Sequence, residues 1–227
     1  MKPARNHSDR AFTLIELLLI ITTFSILAIL LLPRLARPKG YGNRAGCVNN
    51  LKQVGIAFKV WALDNGDKYP MQVSVTNGGT RELVSSGAVF SHFLVMSNEL
   101  NTPKLLFCPQ ENDPKRTFAN TFATVAIAGQ VSFTNDNQVS YFVGVDADSD
   151  QPSMFLAGDR NLAFKAIPAK SGLSEVWANS AASWVRPRHD GEGNILLADA
   201  SVHGLTTRAL IAALQATGQT TNRLAIP

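Results

Sequence analysis

Residues 10–33 read RAFTLIELLLIITTFSILAILLLP. From Ala11 to Leu32 this stretch carries one ionisable side chain, Glu16. Twenty-two residues of helix extend about 33 Å, enough for a hydrocarbon core of about 30 Å. A removable secretory signal would have a shorter apolar core, of roughly 7–15 residues, and a small-x-small exit site. Pro33-Arg34-Leu35-Ala36-Arg37 offers no such site. The stretch therefore predicts a transmembrane helix over 12–32.

Charge around this run excludes another class of function. The 227-residue chain has 21 Lys+Arg against 17 Asp+Glu, a formal net charge of +4. Residues 1–10 hold Lys2, Arg5 and Arg10 against Asp9. Residues 34–44 hold Arg34, Arg37, Lys39 and Arg44 with no acid. The body from 45 onward is close to neutral, so the positive excess flanks the apolar run. That is a membrane signature and not an electrostatic footprint for nucleic acid. Aromatic residues are not interleaved with Lys and Arg, and no Walker loop, dinucleotide glycine pattern or H-E-x-x-H string occurs. The chain reads as no enzyme.

A carboxylate a few residues into a lipid-buried helix costs on the order of 2–3 kcal/mol and either calls for a partner or snorkels to the nearby interface. The string Arg10-Ala11-Phe12-Thr13-Leu14-Ile15-Glu16-Leu17 resembles the signal of type IV pilins and of the pseudopilins of type II secretion. The resemblance implies a leader over 1–11, cut at Ala11–Phe12 by a prepilin peptidase, with methylation of the new amino terminus. Ala11 stands where the family usually has Gly. Pro33 falls where the family often places a helix-kinking proline. Glu16 would then pair with the amino terminus of a neighbouring subunit, chiefly as a register device. The expected partners are prepilin peptidase, other pilin or pseudopilin subunits and the bacterial inner membrane, with the C-terminal domain in the envelope. The rival reading is a membrane-anchored envelope module, binding calcium or glycan, that never polymerises.

Beyond Pro33 a Pro/Gly-containing basic joint leads to a second helix, expected over Arg44–Leu63, the two together forming the segment 33–63. Cys47, Leu51, Val54, Phe58 and Trp61 recur at spacings that put them on one stripe, as in a helix packed on a sheet. Asp64-Asn65-Gly66-Asp67 ends it. The remaining 64–227 predict a β-rich globular domain with strands near 71–75, 105–107, 139–145, 153–157, 175–178, 183–186, 194–198 and 201–204. A helix near 87–97 and another from Thr206/Thr207 to Thr217 complete it. The fold class expected is α+β: a long N-terminal helix against an antiparallel sheet.

Three constellations stand out. Cys47 and Cys108 form either a disulfide, closing about 60 residues and contributing about 4 kcal/mol, or two buried thiols. His189 and Asp199, within Arg188–His203, resemble the H-x9-D-G motif of prepilin-type processing-associated domains, with Ala200 in place of the glycine. Hairpin closure would bring His189 beside Asp199. The alternatives are a metal site of His189, Asp199 and His203 or a hydrolase triad with Ser201, which lacks a nucleophile elbow. Asp146, Asp148 and Asp150 alternate as oxygen ligands for calcium do, without the Gly and Glu of an EF-hand. Calcium bound in the sheet region of major pseudopilins lends this run some weight. No other cofactor is expected.

Overall fold

A computed structural model describes residues 13–35, 39–123, 125, 127–186 and 188–227, with backbone alone given over 30–35 and 39–43. Ala11 and Phe12 lie outside the described residues. The chain divides into two units, 1–41 and 42–227.

The first unit is helix α1, Leu14–Leu35. Its helical backbone continues through Pro33. Every side chain described on it, from Thr13 to Ile29, is exposed. Among the described residues no helix is long and apolar enough to cross a membrane; the side chains described on α1 stop at Ile29.

Helix α2, Lys39–Asp64, starts five residues before the expected Arg44. Gly40 and Gly42, read as part of a joint, sit within its first turns, showing that helix context overrides glycine's cost of about 1 kcal/mol. Its stripe of Cys47, Leu51, Val54, Phe58 and Trp61 is buried, joined by Ala57 and Ala62. Gly55 lets this helix approach the sheet: a Cβ there would stand 2.8 Å from Leu196 Cδ1 and 3.3 Å from the Ala200 Cβ.

The strands are β1 (Tyr141–Gly144), β2 (Phe155–Asp159), β3 (Leu162–Phe164), β4 (Ile167–Pro168), β5 (Gly172–Trp177), β6 (Ala182–Trp184), β7 (Gly193–Leu197), β8 (Val202–Leu205) and β9 (Thr221–Ile226). Six form an antiparallel sheet ordered β5-β9-β1-β2-β7-β8, and three a smaller one ordered β4-β3-β6. With helices α3 (Val89–Leu94), α4 (Ser97–Leu100) and α5 (Thr207–Ala216), the architecture is α+β. One apolar cluster unites the buried face of α2 with Tyr141, Val143, Leu156 and Leu196 of the large sheet. A second packs Leu210 and Leu214 of α5 against Val176, Ile195 and Leu224.

Two expected strands are absent as strands. Residues 70–72 and 75–77 form 3-10 turns instead of a strand over 71–75. Pro70 at the start supplies no N–H for a ladder, and Gly78 closes the second turn in the left-handed region. Residues 103–106 form a 3-10 turn begun by Pro103, in place of most of 105–107. Conversely, β9 pairs with both β5 and β1 near the middle of the large sheet, although Asn222 and Arg223 make it read as polar.

Candidate functional site

On α1 the chemistry is concentrated at the first turn. Thr13 and Glu16 form a reciprocal cap. The Thr13 N–H and hydroxyl donate to Glu16 Oε2 at 2.9 and 2.8 Å, and the Glu16 N–H donates to Thr13 Oγ1 at 3.3 Å. This is the S/T-x-x-E box that satisfies orphan donors at a helix start. Farther along, the hydroxyls of Thr22, Thr23 and Ser25 donate to the carbonyls of Leu19, Ile20 and Ile21 at 2.7–3.1 Å. No hydroxyl among these needs water, a condition that apolar surroundings impose. Glu16 has no cation partner among the described residues: its hydrogen bonds are to Thr13.

The second unit holds the other charged locus. Cys47 on α2 and Cys108 are joined by a disulfide with Cα atoms 5.3 Å apart. Both are fully buried. His189 Nε2 lies 3.6 Å from Cys108 Sγ and 3.2 Å from Asp159 Oδ2. The backbone explains how His189 gets there. His189, Asp190 and Gly191 all take positive φ, of 50°, 58° and 81°. This left-handed turn sends Arg188 and His189 inward while Asp190 stays exposed. Asp159 ends β2, and its Oδ2 also accepts from the Asn194 N–H and Nδ2 at 2.7 and 2.8 Å.

Beside this pair runs a buried ion network. Glu111, with a side chain 1% exposed, pairs with Arg188 and, at 3.0 Å, with Arg160. Ser140 Oγ donates to it at 2.9 Å. Arg160 also reaches Asp113 at 3.2 Å. Burial alone would raise the Glu111 carboxyl, but hydrogen bonds and charge from Arg160 and Arg188 outweigh it and hold the group down at about 2. None of Glu111, Asp113 and Arg160 stands out in the sequence as an ion cluster, because they come together only through folding across about 50 residues.

The expected contact of His189 with Asp199 does not form. His189 precedes β7 and Asp199 follows it, so a five-residue strand, about 17 Å at strand rise, separates their positions. Asp199 is exposed, and its Oδ1 accepts from the Ser201 N–H at 2.8 Å. Ser201 Oγ instead meets His203 Nε2 at 2.8 Å. The triad and the metal set built on His189 with Asp199 therefore lose their geometry. Ala200 nevertheless makes the turn, at φ 69°, accepting strain that a glycine would avoid.

Asp146 and Asp148 point to different partners. Asp146 is held by Arg223, whose Nε and Nη2 approach Oδ1 at 2.9 and 2.5 Å. Asp148 Oδ2 accepts from Gln72 and its Oδ1 from the Asp150 N–H. Among the described residues the one group of three potential metal ligands that converges is Cys47, Cys108 and His189.

No family model matches the chain, and no solved structure matches it. Over 85 residues, 37% of this chain, it is 32% identical to the type II secretion system core protein G of Klebsiella michiganensis. The match covers 56% of that protein, so the chain spans a little over half the length of this curated relative. The similarity supports a pseudopilin-like relationship.

Proposed function

We propose that this chain is a structural subunit of a type II secretion-like pseudopilus or a type IV pilus-like filament. In this reading, prepilin peptidase cuts Ala11–Phe12, and Phe12 becomes a methylated amino terminus. Residues 12–32 hold the subunit in the inner membrane and then pack in the filament core, while the second unit faces the envelope. Its partners are the peptidase and other pseudopilin subunits. It is a substrate and a building block, with no chemistry of its own.

One observation carries the proposal: an apolar helix with exposed side chains presents a single carboxylate whose hydrogen bonds reach only Thr13 of the same helix turn. In lipid, such a charge calls for a cation supplied from outside the helix. The amino terminus created at Phe12 of an adjacent subunit is such a cation, and the partial similarity to core protein G points to the same kind of assembly. Mass spectrometry of the membrane-extracted protein tests this. The expected species begins at a methylated Phe12; a chain retaining residues 1–11 would overturn processing and favour a simple anchored envelope module.

A further inference from the structure

The surroundings of His189 hold more polar capacity than the oxidised chain uses. Asp159 Oδ1, His189 Nδ1 and Asn194 Oδ1 are buried without a hydrogen-bond partner. Buried polar atoms are seldom left so, and several in one place ask for an explanation. Of these, His189 stands beside a disulfide whose two sulfurs, with its imidazole, fall within 4.8 Å of one another, and Asp159 in turn contacts His189 and Asn194.

We propose that this locus is a redox-selected zinc site: the disulfide staples the domain when oxidised, and Zn2+ staples it when the two thiols are reduced. Cys47, Cys108 and His189 are the ligands, and Asp159 closes the shell. Two contacts already have nearly the spacing the ion needs. Bonds of about 2.0–2.3 Å in a tetrahedral zinc site keep ligand atoms about 3.3–3.8 Å apart. His189 Nε2 stands 3.6 Å from Cys108 Sγ and 3.2 Å from Asp159 Oδ2. The Cys47–Cys108 pair must open from a covalent bond to a shared ion, and Asp159, which touches His189 but stands outside the three groups that converge within 4.8 Å, must swing toward it.

The chemistry balances with a dithiol as the reductant. It delivers two electrons and two protons to the Sγ–Sγ bond, becoming a disulfide itself and leaving two thiols. Zinc binding then releases one proton from each thiol, since the thiolate is the ligand. His189 binds as the neutral ring through Nε2, with its proton on Nδ1. Asp159, no longer accepting from Nε2, turns its free lone pairs to the metal while the Asn194 donors hold its orientation, as outer partners do in zinc sites. The structural consequence is the same in both states. Each cross-link ties α2 to the Phe107-Cys108-Pro109 turn, 61 residues apart in sequence.

The test uses the full chain in detergent micelles, unfolded, reduced with a phosphine and refolded with or without Zn2+. About one zinc per reduced chain and none per oxidised chain is expected. Co2+ in its place should give thiolate-to-cobalt charge-transfer absorption. His189→Gln should lower zinc affinity at least about tenfold, and Asp159→Asn by a smaller factor. His203→Gln, outside the cluster, should leave it unchanged. The proposal falls if the reduced chain refolds without taking up zinc, or fails to refold in its presence. It falls equally if His189→Gln binds zinc as the unaltered chain does.

Discussion

The two units treat charge in opposite ways. In the second unit, carboxylates meet guanidiniums within the chain: Glu111 with Arg188 and Arg160, Asp113 with Arg160, Asp146 with Arg223. Glu16 on α1 meets two groups of Thr13 and no cation among the described residues. An ion pair closed within one chain asks nothing of a neighbour, whereas in the proposed filament the unpaired carboxylate on an apolar helix takes its cation from another chain. The comparison locates self-sufficiency in the second unit and, in the proposed filament, dependence on partners in α1.

The largest expected effect breaks the comparison on the α1 side. Glu16→Ala should leave membrane insertion intact, because it only makes the helix more apolar, yet remove the subunit from filaments. Fractionation of membranes and of sheared filaments reads both quantities. Filaments containing the variant at normal abundance would show that the carboxylate has no partner in the assembly.

On the other side, Glu111→Gln should destabilise the second unit by about 3–5 kcal/mol, because Arg188 would remain buried with its charge uncompensated. Denaturant unfolding measures it. A loss below about 1 kcal/mol, the range of exposed pairs, would place the network at the surface in energetic terms. Filament incorporation of whatever fraction folds should persist, which separates this loss from that of Glu16.

Acid should act on the second unit in two stages. Burial holds His92, whose Nδ1 meets Thr80 Oγ1 at 2.7 Å, down at about 4 from an ordinary 6.5. The neutral folded ring thus contributes stability that is full above 6.5 and is lost as pH falls through 4. Glu111, held at about 2 against an ordinary 4.5, contributes stability present above 4.5 and lost as pH falls through 2. Thermal melts between pH 7 and pH 2 should therefore fall first through the His92 window and then through that of Glu111. His92→Gln should flatten the first stage and Glu111→Gln the second.

What was legible beforehand follows the range of the interactions. The α2 stripe is a local pattern, and all five of its residues are buried. Strand β9 escaped because its buried Asn222 and exposed Arg223 break the apolar alternation that marks a strand. The His189 site was half legible. The turn residues around Gly191 announce a reversal, but sequence spacing alone points to Asp199 as the partner. Sheet order placed β2 beside β7 and so delivered Asp159, 30 residues upstream of His189. The Glu111 network had no local signal at all, since it depends on that same long-range pairing of strands and loops.

The smallest effect sharpens the meaning of Glu16. Its carboxylate serves as the local cap of α1 and, in the proposed filament, as the mate of another subunit. Thr13→Ala removes the capping hydroxyl while leaving the charge in place, at a cost of about 1 kcal/mol to the first turn. If pairing between subunits is the dominant role, this variant should still enter filaments, at most a fewfold less than the unaltered chain. Glu16→Gln supplies the converse, retaining an oxygen able to accept from the Thr13 N–H while deleting the charge, and should fail as Glu16→Ala does. An inverted result, with Thr13→Ala excluded from filaments and Glu16→Gln incorporated, would make the carboxylate a helix cap alone. The contrast between a self-contained domain and a partner-seeking helix would then have to rest on the exposed apolar surface of α1 without its charge.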